Sequence, residues 1–395
     1  MSIFSGSKKK EELVLVFNIG SASVSGALFF TQKSGVPKII FSVVEPIKIE
    51  EELDSNRFLS LTLQTINIVA NKIYSKGLGA PVKIFCVLSS AWYVSETRII
   101  TFKKNTSFTF TTKLADELIQ KEIKIFEEEN QKKYDGVKGK GVRPIELKNI
   151  QITLNGYRTQ KPVNQKAKEL EMTIFISMCA EQILKNIEET VAKYFHFDQI
   201  KFSSFLAAYF SAVRDMHEKQ ENFLLVDVGG EITDISMVKN RVLKESISFP
   251  LGVNFLIRGV SRSMGCSLEE AKSLISLFKD GHAEKYTEEK LLLVIDKLKK
   301  DWLNKFQESL AHLSHDISIP ATIFIILNKS LADFFCQIIK TEQFSQYTLT
   351  ESKFEIIFLG TEFLHNLASF EEKTVLDPFL IIDSVYINRF LIYQT

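Results

Sequence analysis

Two short stretches of this chain carry the residue types and spacing from which a phosphate cradle is built. Glu12 to Gly20 (ELVLVFNIG) reads as a short buried strand ending in a polar residue and a glycine, and Asn222 to Gly229 (NFLLVDVG) repeats the design. A glycine turn between strands lets backbone N–H groups approach a phosphate, because no side chain blocks the approach and positive φ is tolerated. An acid at the end of a strand beside such a turn, here Asp227, binds magnesium through water, since that ion keeps most of its hydration shell. One such turn describes any β-hairpin. Two at matched positions predict that Gly20 and Gly229 face one another across a cleft.

The elements that must hold these turns follow the same echo. Each copy continues into a second β-rich run, Ser25 to Thr31 and Thr233 to Lys239, and a third, Lys38 to Val44 and Arg241 to Phe249. Helical periodicity follows at Phe58 to Tyr74 in the first half, and at Leu268 to Phe278 and Leu291 to Leu313 in the second. Two meanders of one pattern predict two related α/β lobes. Between them, residues 82–197 read as strand, strand, amphipathic helix, a polar Lys/Gly stretch at Asn130 to Gly141, then strand, strand and helix. The last helix, Glu181 to Tyr194, gathers Ile183, Leu184, Ile187, Val191 and Tyr194 on one face and is expected to give an inserted subdomain its core. The expected division is a flexible N-terminus at 1–11, a first lobe at 12–81, the insert at 82–197 and a second lobe at 198–395.

Composition narrows the function classes. With 395 residues, 45% hydrophobic and 25% charged, the chain has the make-up of a core-forming soluble protein of two or three domains. Its 49 Lys+Arg against 48 Asp+Glu provide no global field toward nucleic acid or an anionic bilayer. Cys86, Cys179, Cys266 and Cys336 lie far apart, without the close pairs of metal or redox motifs, so a reduced cytoplasmic protein is expected. Lys8 to Lys10 precede only Leu13 to Phe17 before Asn18, which is too short an apolar run for a signal peptide. The His312/His315 pair reads as helix surface. Phe29, Phe30, Phe334, Phe335, Trp92 and Trp302 read as core.

Phe17 to Ser23 (FNIGSAS) and Leu225 to Asp234 (LVDVGGEITD) resemble the first and second phosphate motifs of the actin, sugar-kinase and heat-shock-chaperone superfamily. Within it the chain resembles most the bacterial cell-division FtsA family, and next the PilM family of type IV pilus assembly. The insert carries part of that likeness, at Ile152 to Tyr157, Pro162-Val163 and Glu169 to Met178, and so does Ile247 to Asn254, which contains Gly252. The short Lys-rich start and Ile232-Thr233-Asp234 lean toward PilM. The resemblance implies an actin-like (ribonuclease-H-like) two-lobed α/β fold with an inserted β/α subdomain of SHS2 type. It also implies ATP with magnesium as cofactor, bound by Asn18, Gly20, Ser21, Asp227, Gly229, Gly230, Thr233, Gly252 and the adenosine-motif positions Asn328, Lys329 and Ser330, with Asp227 as metal residue.

Several of these positions depart from the family pattern. Asn18 stands where an acid is usual, Glu231 where the third glycine is, and Ile232 where a threonine contacts phosphate. A Gly-Gly turn after the strand Ile323 to Leu327 is replaced by Asn328-Lys329-Ser330, from which Lys329 has a reach toward phosphate, and the usual Glu and Lys fall on Lys272 and Ile275. A carboxylate near a triphosphate repels it unless it points away or binds the metal. The expected molecule is therefore a scaffold with a degenerate nucleotide site and hydrolysis near background, the alternative being an active ATP-dependent polymerising protein. It would link an FtsZ-like tubulin homologue, or a pilus inner-membrane protein, to the membrane machinery, and would self-associate. Residues 377–395 read as a last strand from their β-branched and aromatic content, with no basic amphipathic helix after them, which puts direct membrane attachment in doubt.

Overall fold

The structure, a computed structural model, describes residues 11–131, 141–282, 284–314, 318–341 and 353–392. The Lys8 to Lys10 start, most of the Asn130 to Gly141 stretch and His315 lie outside the described residues. The chain opens with the expected meander, β1 (Leu13–Ile19), β2 (Ser23–Phe30) and β3 (Lys38–Pro46), joined as antiparallel neighbours. Helix α1 (Ser55–Tyr74) starts at Asp54, whose carboxylate accepts the Arg57 N–H at 2.7 Å. Its buried stripe runs from Leu61 to Ile73 and seats on this sheet at Gly26, where a Cβ would meet the side chains of Ile73 and Val69. β4 (Lys83–Leu88) then returns beside β1 in parallel, so it belongs to the first lobe and not to the insert.

The insert proper is β5 (Val94–Thr109), α2 (Thr112–Gln131), β6 (Val142–Leu154), β7 (Tyr157–Arg158) and β8 (Lys166–Ala180), with sheet order β5-β8-β6-β7. Ile100, Phe126, Leu170, Met172 and Ile174 form its own core, which α2 helps to close. Helix α3 (Glu181–Ala192) has the predicted amphipathic face, but that face packs with α1 in the first-lobe core. Amphipathic spacing says that a face is buried; which neighbour buries it is set by where β8 ends. β9 (Ile200–Ser204) adds in parallel beside β4, and α4 (Phe205–Met216) follows, so the first lobe also extends past residue 198.

The second meander, β10 (Phe223–Val228), β11 (Thr233–Lys239) and β12 (Val242–Phe249), copies the first. After it come α5 (Val253–Met264), α6 (Leu268–Lys279), α7 (Lys285–Leu313), β13 (Thr322–Leu327), α8 (Lys329–Thr341) and β14 (Glu355–Phe358). The chain closes through the short α9 (Thr361–Leu364), β15 (Ser369–Phe370) and α10 (Pro378–Tyr386), the last continued by π-helical Ile387–Ile392. Among the described residues the two lobes carry sheets of order β15-β3-β2-β1-β4-β9 and β12-β11-β10-β13-β14. In each, a meander is extended in parallel from its first strand.

The expected C-terminal strand is a helix. Asp377 accepts the Leu380 N–H at 2.8 Å and Pro378 occupies the first turn, a start signal that outweighs β propensity in a segment buried all round against α4 and β1. No described helix is long and apolar enough to cross a membrane. One apolar core runs through the first lobe and takes in Phe223, Leu225, Phe324 and Ile326 of the second sheet, while the other face of that sheet packs under α5, α7 and α8.

Candidate functional site

Asn18 and Asp227 occupy the same place in the two lobes. Asn18 lies opposite Ser25 of β2 and beside Val87 of β4; Asp227 lies opposite Asp234 of β11 and beside Ile326 of β13. Each following turn is closed by its own glycine, the Gly20 N–H to the Ser23 carbonyl at 3.1 Å and the Gly229 N–H to the Ile232 carbonyl at 2.9 Å. Trp92, stacked on Phe58 at 4.9 Å, steadies the first turn by donating its indole N–H to the Gly20 carbonyl at 3.2 Å.

The two turns face one another as the echo predicts, and they touch. Ser21 Oγ lies 2.9 Å from where a Gly229 Cβ would stand, and a Cβ at Gly230 would lie 2.5 Å from the Ser21 carbonyl oxygen. Only glycine allows that approach. Ser21 Oγ also accepts the Glu231 N–H at 3.1 Å, across the lobes. Beside the contact opens a cleft of about 490 Å3, lined by Asn18, Gly20, Ser21, Asp227 and Gly229 together with Asn328, Lys329 and Ser330.

The remaining expected residues shape the turn from behind. Gly252 caps α5, whose first N–H groups, of Val253 and Asn254, donate to the Gly229 and Gly230 carbonyls at 2.9 and 2.8 Å. Thr233 is fully buried, donates to the Leu251 carbonyl at 2.8 Å and receives the Trp302 indole N–H at 3.3 Å.

Buried carboxylates dominate the electrostatics. Burial, then the nearby charge of Asp234, pushes the Asp227 carboxyl well above its ordinary range, and Asp227 Oδ1 has no hydrogen-bond partner among the described residues. Asp234 is pushed up to about 6 by burial, although the Ser248 and Ser90 hydroxyls favour its ionised form. Asn18 donates from Nδ2 to Asp383 Oδ2 at 2.8 Å, and burial raises that acid strongly as well. The acid missing at position 18 thus has a counterpart directly behind it, on α10.

Sequence reasoning missed Asp383, because the segment read as a strand; an acid inside an otherwise apolar helix was the available signal. It also missed Arg258. Glu231 turns away from the cleft, only 7% exposed, and is gripped by the Arg258 guanidinium at 2.6 and 2.8 Å and by Asn254 Nδ2 at 2.7 Å. The expected repulsion of phosphate is therefore neutralised from α5. Lys329 lines the cleft, and its exposed ammonium pairs with Glu362 of α9 at 2.7 Å. Among the described residues no group of three or more His, Cys, Asp or Glu side chains gathers for a metal.

No protein-family model matches the chain, and no curated protein matches it. Solved structures do. A PilM-PilN type IV pilus biogenesis complex superposes with a TM-score of 0.62 at 12% identity, over 95% of this chain and 97% of that one. The fold is actin-like. More distant likenesses are the ethanolamine utilization protein EutJ from Carboxydothermus hydrogenoformans (TM-score 0.42, 9% identity, 95% and 88% covered) and a Bacteroides thetaiotaomicron protein with an actin-like ATPase fold (0.38, 8%, 90% and 94%).

The cleft suits the nucleoside part of a nucleotide better than its magnesium triphosphate. Val375, Leu376, Pro378 and Phe379 from the first lobe, with Phe358 after β13, give the cleft apolar walls that suit a nucleoside. At the two turns the N–H groups of Gly20, Gly229, Glu231, Val253 and Asn254 already donate to protein acceptors, and Asn18 offers no charge.

Proposed function

We propose that this chain is a PilM-like cytoplasmic scaffold of type IV pilus assembly, which binds a pilus inner-membrane protein and holds nucleotide weakly, without turning it over. The observation that carries this reading is the end-to-end likeness, 95% of one chain on 97% of the other with the insert included, to a structure named as a PilM-PilN complex. The cell-division alternative rests on motif resemblance alone.

Co-purification decides between them. The chain is expected to form a stoichiometric complex with a PilN-type protein of its own organism and none with the tail of an FtsZ-type protein. The reverse result would restore the cell-division reading. Titration with adenine nucleotides, with and without magnesium, tests the cleft separately. Weak binding is supported by the neutral Asn18 and by Ile232 in place of a side-chain donor.

A further inference from the structure

Glu231 is more than a lost glycine. Its carboxylate receives both arms of the Arg258 fork, and the same guanidinium donates through Nε to the Glu50 carbonyl at 2.8 Å. One turn along α5, Arg262 donates to the Glu51 carbonyl at 3.0 Å. Glu50 and Glu51 lie on the connection between β3 and α1 in the first lobe, whereas α5 and Glu231 belong to the second. The Glu231 main chain meanwhile donates to Ser21 of the first lobe. A single residue of the second turn is thereby bonded across the cleft through its N–H, and through its carboxylate and Arg258 to a second point on the opposite lobe.

We propose that Glu231 and Arg258 form an interlobe clasp that closes the phosphate end of the cleft on itself, so that the cleft takes a nucleoside or nucleoside monophosphate in preference to a triphosphate. At the Ser21–Gly230 contact the two turns leave no room between them, since even a Cβ at Gly230 would lie 2.5 Å from the Ser21 carbonyl oxygen, and the cleft opens only beside it. The α5 N–H groups that a helix N-terminus offers to an anion are taken by the Gly229 and Gly230 carbonyls. A charge pair of this kind, with Glu231 at 7% and Arg258 at 13% side-chain exposure, is costly to break on one side only, because the partner is left charged and buried. The apolar side chains that line the cleft, Val375, Leu376, Pro378, Phe379 and Phe358, suit a nucleoside. The ligand half of the proposal rests on the nucleotide reading of the cleft; the closure half does not.

Two measurements on the full chain test it, each with wild type, Glu231→Gln and Arg258→Lys, conservative variants that keep the bulk while removing the charge or the fork. Calorimetric titration with AMP and with magnesium ATP is expected to show AMP binding at least about tenfold tighter to wild type, with the gap narrowing in both variants. Amide exchange without nucleotide is expected to speed up about tenfold or more at residues 19–23 and 47–53 in both variants, while β10 keeps its protection. Unchanged exchange at both segments would overturn the clasp. Tighter binding of ATP than AMP by wild type would overturn the selectivity, and failure of both nucleotides to bind would remove the nucleotide reading along with the selectivity.

Discussion

At the scale of single residues, the structure changes what restoring an ATPase motif would require. Asn18→Asp alone would set a second carboxylate at hydrogen-bond distance from Asp383, where two buried acids cannot both ionise. The single variant is expected to lose about 1–3 kcal/mol at pH 8, by urea denaturation. The double variant Asn18→Asp, Asp383→Asn keeps one amide against one acid and should recover most of that loss. Recovery of magnesium-dependent ATP binding by Asn18→Asp, Glu231→Gly and Ile232→Thr is then expected to need Asp383→Asn as a fourth change. Asp234 makes a prediction in pH. Its carboxyl is raised in the folded state to about 6, so the native protein holds a proton that the unfolded chain has released. Its contribution to stability is complete below about pH 4 and disappears as pH rises through about 6. Asp234→Asn should flatten that part of the stability profile; an identical slope in the variant would mean that other groups, such as Asp377, cause it.

At the scale of elements, α10 is the decisive piece. It brings Asp383 to Asn18, and its N-terminal residues Asp377, Pro378 and Phe379 wall the cleft. Its start depends on the Asp377 cap, so Asp377→Ala is expected to cost about 1 kcal/mol and to raise amide exchange in Leu380 to Val385. The insert is held to the first lobe by a buried polar junction. Glu146 of β6 accepts from Ser203 of β9 and, at 2.8 Å, from the Tyr386 hydroxyl of α10, while Lys148 donates to Ser211 of α4 at 2.6 Å. The insert's core beyond this junction is its own. Ile174→Ala should therefore cost about 2–5 kcal/mol while accelerating exchange chiefly within residues 94–180. Equal acceleration through β10 and β13 would show that insert and lobes unfold as one.

At the scale of the whole molecule, the lobes meet over a cleft that one core underlies from both sides, since Tyr209 of α4 donates to the Phe324 carbonyl of β13 at 2.8 Å. In-line hydrolysis needs developing charge neutralised by metal and donors, and losing one well-placed donor costs on the order of 3 kcal/mol. With Asn18 uncharged, Ile232 unable to donate and the turns bonded to each other, phosphate release from ATP by the purified chain is expected to stay at background, with Asp227→Ala indistinguishable from wild type. Robust turnover abolished by that substitution would establish an active ATPase instead.

What the sequence determined by itself was local and repeated. The buried runs at Leu13 to Ile19 and Phe223 to Val228, each ending in a polar residue and a glycine, specified two meanders and the positions of Asn18, Gly20, Asp227 and Gly229, because strand periodicity and turn chemistry act within a few residues. The amphipathic face of α3 was likewise written in the chain, whereas α10, apolar all round, read as a strand although Asp377-Pro378 carried its start signal. Tertiary structure decided which partner each face met. It placed α3 on α1, β4 and β9 in the first sheet, Asp383 behind Asn18, and Arg258 between Glu231 and Glu50. Those pairs lie tens to hundreds of positions apart, and a side chain's charge and spacing show that it needs a partner without showing which distant segment the packed lobes will bring to it.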